Sequence, residues 1–585
     1  MQVRRGVKRT PADPPAPGGK RCRTHAVAQT CPTAGTGRPS TAIWDAIALR
    51  SSHVSRLSGL EGEHFDVVVI GGGIIGCGIA RDAALRGLRV ALIERRDFGS
   101  GTTAASTRIV HGGLRYLEMF DFRLVRLDLK EREILLRIAP HLVRPLEFLI
   151  PFFGGTRLLP LKMRTGLALY DALSFDKTLP SRRWLSAARA QEADVFLRRA
   201  DIRGAAAYYD ARIDSPERLA LENVLDAQAH QAHAFNYCEA VAISNDGGRL
   251  TGIRVRDLTG LTEASVSTRV VVNATGAWVD SVTARLTSRN PHALRTTKGI
   301  HIVCPPMNER ALVLFSKVDG RLLFAIPRRG LTWIGTTDTD YSGDPAKARA
   351  TRSDVEYIIR SVRDVFPALD LADVLYTTAG VRALVKRPGS ESSVSRMHRV
   401  VDGEPFGPSG LISVLGGKIT AYRAIAEEVT DLICRRLGVP KRPSATATTP
   451  LPGALTPPTP AQKQDKGELL RHLYDLYGCD AQKVMALAEA ETELHSPLSP
   501  KYKDIGAQVV YGVRNEHCVR LGDFLRRRTL LGASDDQGWD AAEAAAALMG
   551  RELNWSARRQ QEEIARYGRE IAATQAFRTV RSATD

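Results

Sequence analysis

A glycine-rich turn that follows a buried strand is the feature that most constrains the fold of this chain. Residues 66–70, Asp-Val-Val-Val-Ile, form a run dominated by β-branched residues, which is typical of a parallel strand covered on both faces. The turn at 71–76 carries glycines at the spacing G-x-G-x-x-G, and residues 74–87 continue with the pattern of a helix. Residues 89–93 form a second apolar run, so the segment predicts a βαβ unit.

The three glycines of this turn, Gly71, Gly73 and Gly76, suit a ligand that carries phosphates. They permit a tight turn, a close approach of the backbone to a pyrophosphate, and close packing of the helix on the strand. The helix N-terminus directs its free N–H groups to the same place. Glu94, at the end of the second strand, is positioned to accept hydrogen bonds from a ribose 2′-hydroxyl. The unit therefore predicts a dinucleotide site, and it does not separate FAD from NAD.

The rest of the chain predicts an α/β protein. Residues 269–273 and 411–415 are further apolar runs, as expected of buried parallel strands, and residues 465–580 are almost entirely helical in pattern. We predict a Rossmann-like dinucleotide-binding domain, an interleaved α+β substrate (cap) domain and a C-terminal helical domain. The predicted segments are a basic disordered N-terminal extension (1–62), the dinucleotide-binding domain with its cap (63–440), a linker (441–462) and the helical domain (463–585).

The composition is that of a soluble globular protein with two or three domains. Of the 585 residues, 43% are hydrophobic and 25% are charged, and no run reaches the roughly 18 apolar residues needed to cross a bilayer. The eight cysteines are scattered without C-x-x-C spacing. This spacing disfavours a zinc site or a redox dithiol and favours a reducing compartment, so we expect no metal.

The net charge of +18 comes in good part from the N-terminal extension. Such a basic tail is compatible with nucleic acid, an anionic membrane surface or an anionic substrate. Its lack of periodicity predicts a disordered, solvated segment, and a transit peptide or a wrongly chosen start codon stays open. Nucleic-acid binding is disfavoured because the chain has no RRM, zinc or helix-turn-helix signature.

A polar stretch at 100–117 supplies further candidate contacts to a dinucleotide. Its small hydroxyl residues suit hydrogen bonds to phosphate and ribityl oxygens, and its glycines let the backbone approach a flat ring. The candidate contacts are Thr102, Thr103, Ser106, Thr107 and Gly112. His111, Arg115 and Tyr116 add a proton acceptor, a forked cation for anions and a phenol.

Later strings add cations and glycines. The string Gly416-Gly417-Lys418 lies between a predicted strand and a predicted helix, where a helix N-terminus and a lysine suit an anion. Arg382 and Arg396 are isolated cations that matter only if folding brings them beside Arg115 and Lys418. The remaining candidate contacts to the dinucleotide are Gly276, Gly417 and Thr420.

Together these strings resemble the FAD-dependent sn-glycerol-3-phosphate dehydrogenases. They occur in the order GxGxxG at 71–76, STR at 106–108, HGGLRYL at 111–117, IGTTD at 334–338, GVR at 380–382 and GGKIT at 416–420. The HGGLRYL and GTTD strings are specific as a pair. The resemblance covers about residues 63–575 and excludes the N-terminal extension.

The resemblance implies that the dinucleotide is FAD and that the first domain is a Rossmann-like FAD-binding domain. It implies oxidation of the C2 hydroxyl of glycerol-3-phosphate to the ketone of dihydroxyacetone phosphate, with hydride passing to flavin N5 and electrons then passing to a membrane quinone. The residues expected to surround the substrate are Arg115, Tyr116, Arg382, Arg396 and Lys418. A phosphate of nearly two negative charges needs several cations. His111 is the candidate general base, and Arg382 is the rival group for activating the hydroxyl.

A quinone reductase must reach the bilayer, so the resemblance also implies a peripheral protein on the cytoplasmic face of the inner membrane. The stretch 157–164 mixes apolar and basic residues, as a monotopic surface contact does. A packed helix with snorkelling cations is the alternative for this stretch. A homodimer stays open.

Two residues depart from the family's pattern. Ile75 stands where Asn is common, and Ala383 follows Arg382 where Pro is common. We expect altered hydrogen bonding in the cofactor loop and altered loop stiffness, without loss of a group that the chemistry requires.

Two alternative functions stay open. A glycerol-3-phosphate oxidase passes electrons to oxygen and forms peroxide; the resemblance suggests that such oxidases often carry a cap insertion, and no long one is present. A related flavin-dependent amine or amino-acid oxidase is disfavoured by the clustered cations and the HGGLRYL string.

Overall fold

The computed structural model describes residue 57 and residues 59–154, 158–197, 201–386, 397–455 and 467–579. The strands of the described residues are β1 (His64–Phe65), β2 (Val67–Ile70), β3 (Val90–Ile93), β4 (Ile109–Val110), β5 (Val143–Phe153), β6 (Arg183–Ser186), β7 (Ile202–Ile213), β8 (His233–Phe235), β9 (Cys238–Asp246), β10 (Arg249–Asp257), β11 (Glu263–Thr268), β12 (Val271–Asn273), β13 (Leu294–Cys304), β14 (Ala311–Phe315), β15 (Leu322–Arg328), β16 (Leu331–Gly335), β17 (Thr339–Asp340), β18 (Tyr376–Val385), β19 (Arg399–Asp402) and β20 (Leu411–Leu415).

The α-helices of the same residues are α1 (Ile74–Leu85), α2 (Phe122–Ile138), α3 (Leu158–Leu173), α4 (Ala187–Ala193), α5 (Pro216–Ala229), α6 (Val279–Thr287), α7 (Arg352–Val362), α8 (Tyr422–Leu437), α9 (Glu468–Tyr477), α10 (Ala481–Ala490), α11 (Gly506–Asn515), α12 (Leu521–Asp523), α13 (Ala542–Leu553) and α14 (Ala557–Thr574). A 3₁₀ helix spans Leu114–Met119, and a π-helical turn, Phe524–Arg528, continues α12.

The predicted βαβ unit forms the centre of a sheet with the order β19-β20-β12-β2-β3-β8 in the described residues. Its neighbouring strands run parallel except for β19, which is antiparallel to β20. Every residue of β2 and β3 is buried, because helices α1, α5 and α8 cover one face and a smaller sheet covers the other. The α/β class predicted from the sequence is confirmed.

The glycine turn allows α1 to start directly against β2. Gly71 has φ +105°, a conformation that side chains rarely adopt, and a Cβ added there would lie 2.8 Å from the carbonyl oxygen of Ala274. A Cβ added to Gly76, one turn into the helix, would overlap the carbonyl oxygen of Gly71. Helix α1 therefore approaches the turn more closely than a side chain at position 76 would permit.

A large second sheet carries the cap. Its order is β17-β13-β16-β15-β14-β5-β7-β4 in the described residues, with β18 paired to β13 and β6 paired to β7. Helices α2 and α3 pack on one face, and α7 packs on the other. The antiparallel pairing of β13 with β18 extends from Leu294–Val385 to Val303–Tyr376, so it brings distant residues of the candidate site into register.

Helices α9 to α14 form two apolar clusters of their own. Buried ion pairs join them to the dinucleotide-binding domain. Asp97 accepts hydrogen bonds from Arg527 Nε at 2.5 Å and from both terminal nitrogens of Arg528 at 2.8 Å. Burial would raise the pKa of Asp97, but the charges of Arg528 and Arg527 outweigh burial and lower the pKa to about 2. Two arginines of the C-terminal helices therefore hold Asp97, the carboxylate that follows β3.

Two segments outside the predicted domains are packed in the structure. Leu57 and Leu60, within the predicted disordered extension, are 1% and 0% exposed because they join Phe65 in an apolar cluster. The start of the predicted linker lies on α1 and α5: Ser444 donates to Asp82 at 2.5 Å, Arg81 donates to the carbonyl of Thr449 at 2.9 Å, and Leu451 is buried. These contacts tie the segment to the domain that precedes it.

The contact at Gly76 generates the first prediction. Gly76→Ala forces α1 away from the turn, and we expect it to lower the free energy of unfolding by about 2 kcal/mol or more, as overpacked sites do, and to reduce bound flavin. The control is Gly166→Ala within α3, where an added Cβ meets nothing within 4 Å and should stabilise the helix by up to about 1 kcal/mol. Urea unfolding and the flavin-to-protein absorbance ratio measure both effects. Equal flavin content in the two variants would contradict the packing argument.

Candidate active site

A cavity of about 940 Å³ lies between the glycine turn and the large sheet. Most of the site residues predicted from the sequence line it. These are Gly71, Gly73, Glu94, Thr102, Thr103, Ser106, Thr107, His111, Arg115, Tyr116, Gly276, Arg382, Gly417, Lys418 and Thr420. Residues from five separated parts of the chain thus meet around one space large enough for a cofactor and a small substrate.

The glycine-turn end of the cavity has the features of a pyrophosphate and ribose site. Gly73, Ile74 and Ile75 bring the first turn of α1 to the cavity wall, where N–H groups attract phosphate. Glu94 accepts hydrogen bonds from the backbone N–H of Gly72 at 2.6 Å and of Arg96 at 2.7 Å. These bonds hold the carboxylate, while burial raises its pKa.

The unusual Ile75 makes an apolar contact with the other glycine string. A Cβ added to Gly417, which has φ +100°, would lie 2.7 Å from Ile75 Cδ1. An isoleucine therefore packs against bare backbone at this position, in place of the hydrogen bonds that an Asn would offer. The other departure, Ala383, continues β18 in register opposite Thr296.

The hydroxyl residues after Ser100 tie the cofactor loop to its surroundings. Thr103 Oγ1 accepts from the N–H of Ile74 at 3.1 Å, and Thr102 donates to the carbonyl of Val381 at 2.9 Å. Ser106 donates to the carbonyl of Thr103 at 2.9 Å, and Thr107 lies 3.0 Å from a ring nitrogen of His301. The loop joins the glycine turn to the large sheet.

Two predicted cofactor glycines serve packing in the structure. Gly76 lies against the Gly71 carbonyl, as described above. The N–H of Gly112 donates to the Tyr170 hydroxyl at 2.8 Å, and a Cβ there would overlap Leu129. It is the neighbouring Gly113 that lines the cavity. Close approach of helices α2 and α3 explains why position 112 carries no side chain.

Arg382 is anchored at the cavity wall. Its guanidinium donates to the carbonyl of Thr337 at 3.0 Å, to Asp338 at 3.1 Å and to Thr336 Oγ1 at 3.0 Å. It lies over Gly299, where a Cβ would overlap it. The GTTD string therefore positions this arginine, a role that its sequence pattern did not indicate.

Lys418 is held by an acid that sequence reasoning missed. Its ammonium group forms an ion pair with Asp128 of α2 and lies 4.3 Å from the centre of the Tyr116 ring. Asp128 is fully buried, and this burial raises its pKa to about 6 against the opposing charge of Lys418. The charge of Lys418, the predicted phosphate contact, is therefore partly balanced by the carboxylate of Asp128.

Further cavity residues were missed as well. Arg321 adds a cation at the wall and donates to the carbonyl of Asp338 at 3.3 Å. His301, on β13, is 3% exposed and lies between the hydroxyls of Thr107 and Thr378, at 3.0 and 3.2 Å. Burial, and then the charges of Arg382 and Arg108, lower the pKa of His301 to about 3. The ring is therefore neutral and positions the loop through Thr107.

The predicted base, His111, lines the cavity next to Phe324, with 6.3 Å between ring centres. Its backbone N–H and carbonyl both contact Thr420 Oγ1, at 3.3 and 3.4 Å. The HGGLRYL and GGKIT strings are joined through this threonine. Arg396 lies outside the described residues.

Two family models match the chain. The model described as FAD dependent oxidoreductase matches residues 66–423. The model described as the C-terminal domain of alpha-glycerophosphate oxidase matches residues 444–560. The turn, the cavity and the first match define an FAD-dependent oxidoreductase, and FAD is its cofactor.

Individual relatives narrow the class. The chain is 38% identical to a glycerol-3-phosphate dehydrogenase of Synechocystis over 533 residues, covering 87% of this chain and 96% of the relative. It is 35% identical to glycerol-3-phosphate dehydrogenase 2 of Mycobacterium tuberculosis, covering 93% of each chain. The crystal structure of the Bacillus halodurans glycerol-3-phosphate dehydrogenase complexed with FAD superposes with a TM-score of 0.71 at 30% identity, covering 88% of this chain and 96% of that one. The chain belongs to the FAD-dependent glycerol-3-phosphate dehydrogenase family, which confirms the family and the cofactor predicted from the sequence.

The described residues fit FAD. The turn at Gly71 has no side chain to obstruct a pyrophosphate, the first turn of α1 faces the cavity, and Glu94 closes the ribose end. Gly276 and Gly417 also line the cavity, and neither places a side chain at its wall.

The buried neutral His301 generates the second prediction. In the unfolded chain His301 has a pKa of 6.5 and binds a proton below that pH. In the folded chain its pKa is about 3, so the ring stays neutral until the pH falls to about that value. The free energy of unfolding therefore falls as the pH drops through 6.5, and His301→Gln removes this part of the loss. We expect the difference between wild type and variant to change by about 2 kcal/mol between pH 7 and pH 5.

Urea unfolding at several pH values measures this difference, and His64→Gln, at an exposed histidine, reports the effect of losing an imidazole at the surface. If the free energies of unfolding of wild type and His301→Gln keep a constant difference across these pH values, the His301 ring binds its proton in the folded protein as it does in the unfolded one, which contradicts the prediction.

Proposed function

We propose that this chain oxidises sn-glycerol-3-phosphate to dihydroxyacetone phosphate. The observation that carries the proposal is the group of cations Arg115, Arg321, Arg382 and Lys418 at the wall of one cavity. The relatives are named glycerol-3-phosphate dehydrogenases, and a phosphate monoester is the kind of ligand that several cations recognise. FAD, when bound, supplies the acceptor for the hydride that leaves C2.

Within this proposal the anchored cations and the exposed Arg115 have different roles. Arg382 is fixed by three hydrogen bonds and Lys418 by its ion pair with Asp128, so both present charge without reorganisation. Arg115 is exposed at the start of the Leu114–Met119 helix, and its long side chain can close on the phosphate as substrate enters. Tyr116, beside Lys418, completes the wall.

The C2 hydroxyl must lose its proton when the hydride leaves. We assign this proton to His111, because an imidazole in the cavity can accept it. The cations lower the pKa of the hydroxyl and stabilise the charge that develops on its oxygen, with Arg382 the rival group for activating it. His301 holds the cofactor loop through Thr107 and takes no proton at neutral pH.

For the electron acceptor we propose a membrane quinone. Apolar side chains are exposed beside the cavity. Met119 (59% exposed) ends the helix that carries Arg115, Phe120 (77%) and Phe122 (40%) follow it, and Leu161 (62%) lies on α3. Lys162 of α3 pairs with Glu118 at 3.0 Å, so these segments share one surface, hereafter the apolar rim. Its basic neighbours Arg123 and Lys130 on α2 are exposed as well.

An apolar surface with basic neighbours favours a monotopic contact with anionic lipid. Within the described ranges, no helix has both the length and the apolar character to cross a membrane. We propose that the apolar rim rests on the cytoplasmic face of the inner membrane, where a quinone would reach the cavity beside Arg115. The alternative acceptor is oxygen, as in the oxidase whose C-terminal domain gives the second family model its description.

The substrate assignment generates the third prediction. Anaerobic addition of sn-glycerol-3-phosphate to the FAD-loaded protein should bleach the flavin absorbance. Arg115→Ala should retain flavin and lower the second-order rate of bleaching by about 10- to 100-fold, the worth of one charge-assisted hydrogen bond. Arg123→Ala, an exposed arginine on α2 outside the cavity, is the matched control. Absence of bleaching in the wild type refutes the substrate; wild-type rates for Arg115→Ala refute the phosphate assignment. Reoxidation by a quinone analogue, compared with oxygen, then distinguishes the acceptors.

The apolar rim generates the fourth prediction. Leu161→Glu puts a charge where we expect lipid contact, and it should weaken binding to anionic phospholipid vesicles by about tenfold, the worth of burying one leucine. The control is Leu261→Glu, in the connection between β10 and β11, where the leucine is 77% exposed. Vesicle co-sedimentation measures both. If the two substitutions weaken binding equally, the apolar rim is not the membrane contact.

A further inference from the structure

A second cavity, of about 640 Å³, lies between the large sheet and the C-terminal helices. Ser100, Gly101 and Ala105 line both cavities, so the cofactor loop is the wall between them. The proposed oxidation uses none of the groups that are unique to this second cavity.

The second cavity is strongly cationic. Among the described residues that line it are nine arginines and three acids, with no lysine and no histidine. Carboxylates lie beside most of these arginines. Glu217 pairs with Arg108 and Asp97 pairs with Arg527, both at 2.5 Å. Glu570 lies 3.7 Å from Arg526, and Glu563 lies 3.4 Å from Arg566 and 3.8 Å from Arg520. Arg349, an exposed residue, donates to the carbonyls of Ala346 and Ala348, at 3.4 and 2.7 Å.

Arg328, the last residue of β15, carries the inference. It is 7% exposed and donates through Nη2 to the carbonyl of Asp214. Its Nε and Nη1 are buried without a hydrogen-bond partner in the described residues. The guanidinium lies 4.8 Å from the centre of the Trp333 ring, which Arg108 also approaches, at 5.8 Å. Burial, and then the charge of Arg108, lower the pKa of Arg328 to about 9.

Two neighbouring donors are also buried without a hydrogen-bond partner in the described residues. Trp333 Nε1 and the Tyr376 hydroxyl, in residues 6% and 2% exposed, line the same cavity and have no partner among the described residues. Buried donors without partners destabilise a fold, and a buried unpaired charge does so more strongly. Three of them beside one cavity indicate that a ligand supplies the acceptors.

We propose that this second cavity binds a free metabolite that carries two or more phosphate groups. Phosphate oxygens are acceptors that match guanidinium donors in geometry and charge. Cations on opposite walls favour more than one phosphate: Arg328 comes from the sheet, whereas Arg526 and Arg566, each with a glutamate beside it, come from the C-terminal helices. The volume suits a small metabolite. The site is independent of the substrate proposed above.

Inorganic pyrophosphate is the probe, titrated calorimetrically into the FAD-loaded full-length protein. We expect saturable binding that Arg328→Met weakens at least tenfold and that Arg321→Met, in the first cavity, leaves intact. Orthophosphate should bind the second cavity at least tenfold more weakly than pyrophosphate. Unchanged binding by Arg328→Met, or no saturable binding by the wild type, overturns the site; equal affinity for orthophosphate overturns the requirement for two phosphate groups.

Thermal unfolding separates a ligand site from a structural arginine. Without pyrophosphate, Arg328→Met should unfold at or above the wild-type temperature, because the substitution removes a buried charge that forms no ion pair among the described residues. Pyrophosphate should raise the midpoint of the wild type and of Arg321→Met but not that of Arg328→Met. A lower midpoint for Arg328→Met without pyrophosphate would assign the arginine to the fold and refute the proposal.

Discussion

The close approach of α1 to the glycine turn is the constraint on which the rest of this structure depends. The helix can start at the end of β2 only because residue 76 has no side chain to meet the Gly71 carbonyl. That start sets the direction of the helix N-terminus and the distance from it to Glu94. The parallel sheet, the helices that cover it and the cofactor loop that closes on it are all arranged around this one contact.

The part of the cavity around Arg382 depends on a different feature of the fold. It depends on pairing between strands far apart in the chain, above all β13 with β18, which sets Arg382 beside Gly299 and His301 beside Thr378. The GTTD string then fixes the guanidinium through hydrogen bonds at 3.0–3.1 Å. Strands β2 and β3 of the first sheet therefore lead into the glycine turn and Glu94, and strands β13 and β18 of the large sheet carry His301 and Arg382.

Local patterns predicted much of this arrangement. The runs at 67–70, 90–93 and 411–415 are strands with boundaries within one residue of those expected, because buried parallel strands are apolar without interruption. The glycine strings are equally local, since each describes its own turn.

Other features depend on partners that lie far away in sequence. Asp128 has the appearance of a solvent-facing acid in an amphipathic helix, and only its contact with Lys418, 290 residues later, makes it part of the site. His301 lies in a strand with no motif around it. Leu57 and Leu60 are buried through contact with Phe65, in a segment whose composition indicates disorder. Packing across the chain decides these cases, and spacing along the chain carries no trace of it.

The ion pairs of Asp97 have a consequence for the order of biosynthesis. This carboxylate stands three residues after Glu94, and its partners Arg527 and Arg528 lie 430 and 431 residues further along the chain. While the ribosome is still adding the second half of the protein, the segment after β3 holds a buried acid without its counter-ions, which is an unfavourable state. The segment after β3 therefore emerges early, but we expect its buried acid to gain its counter-ions only when the C-terminal helices have folded.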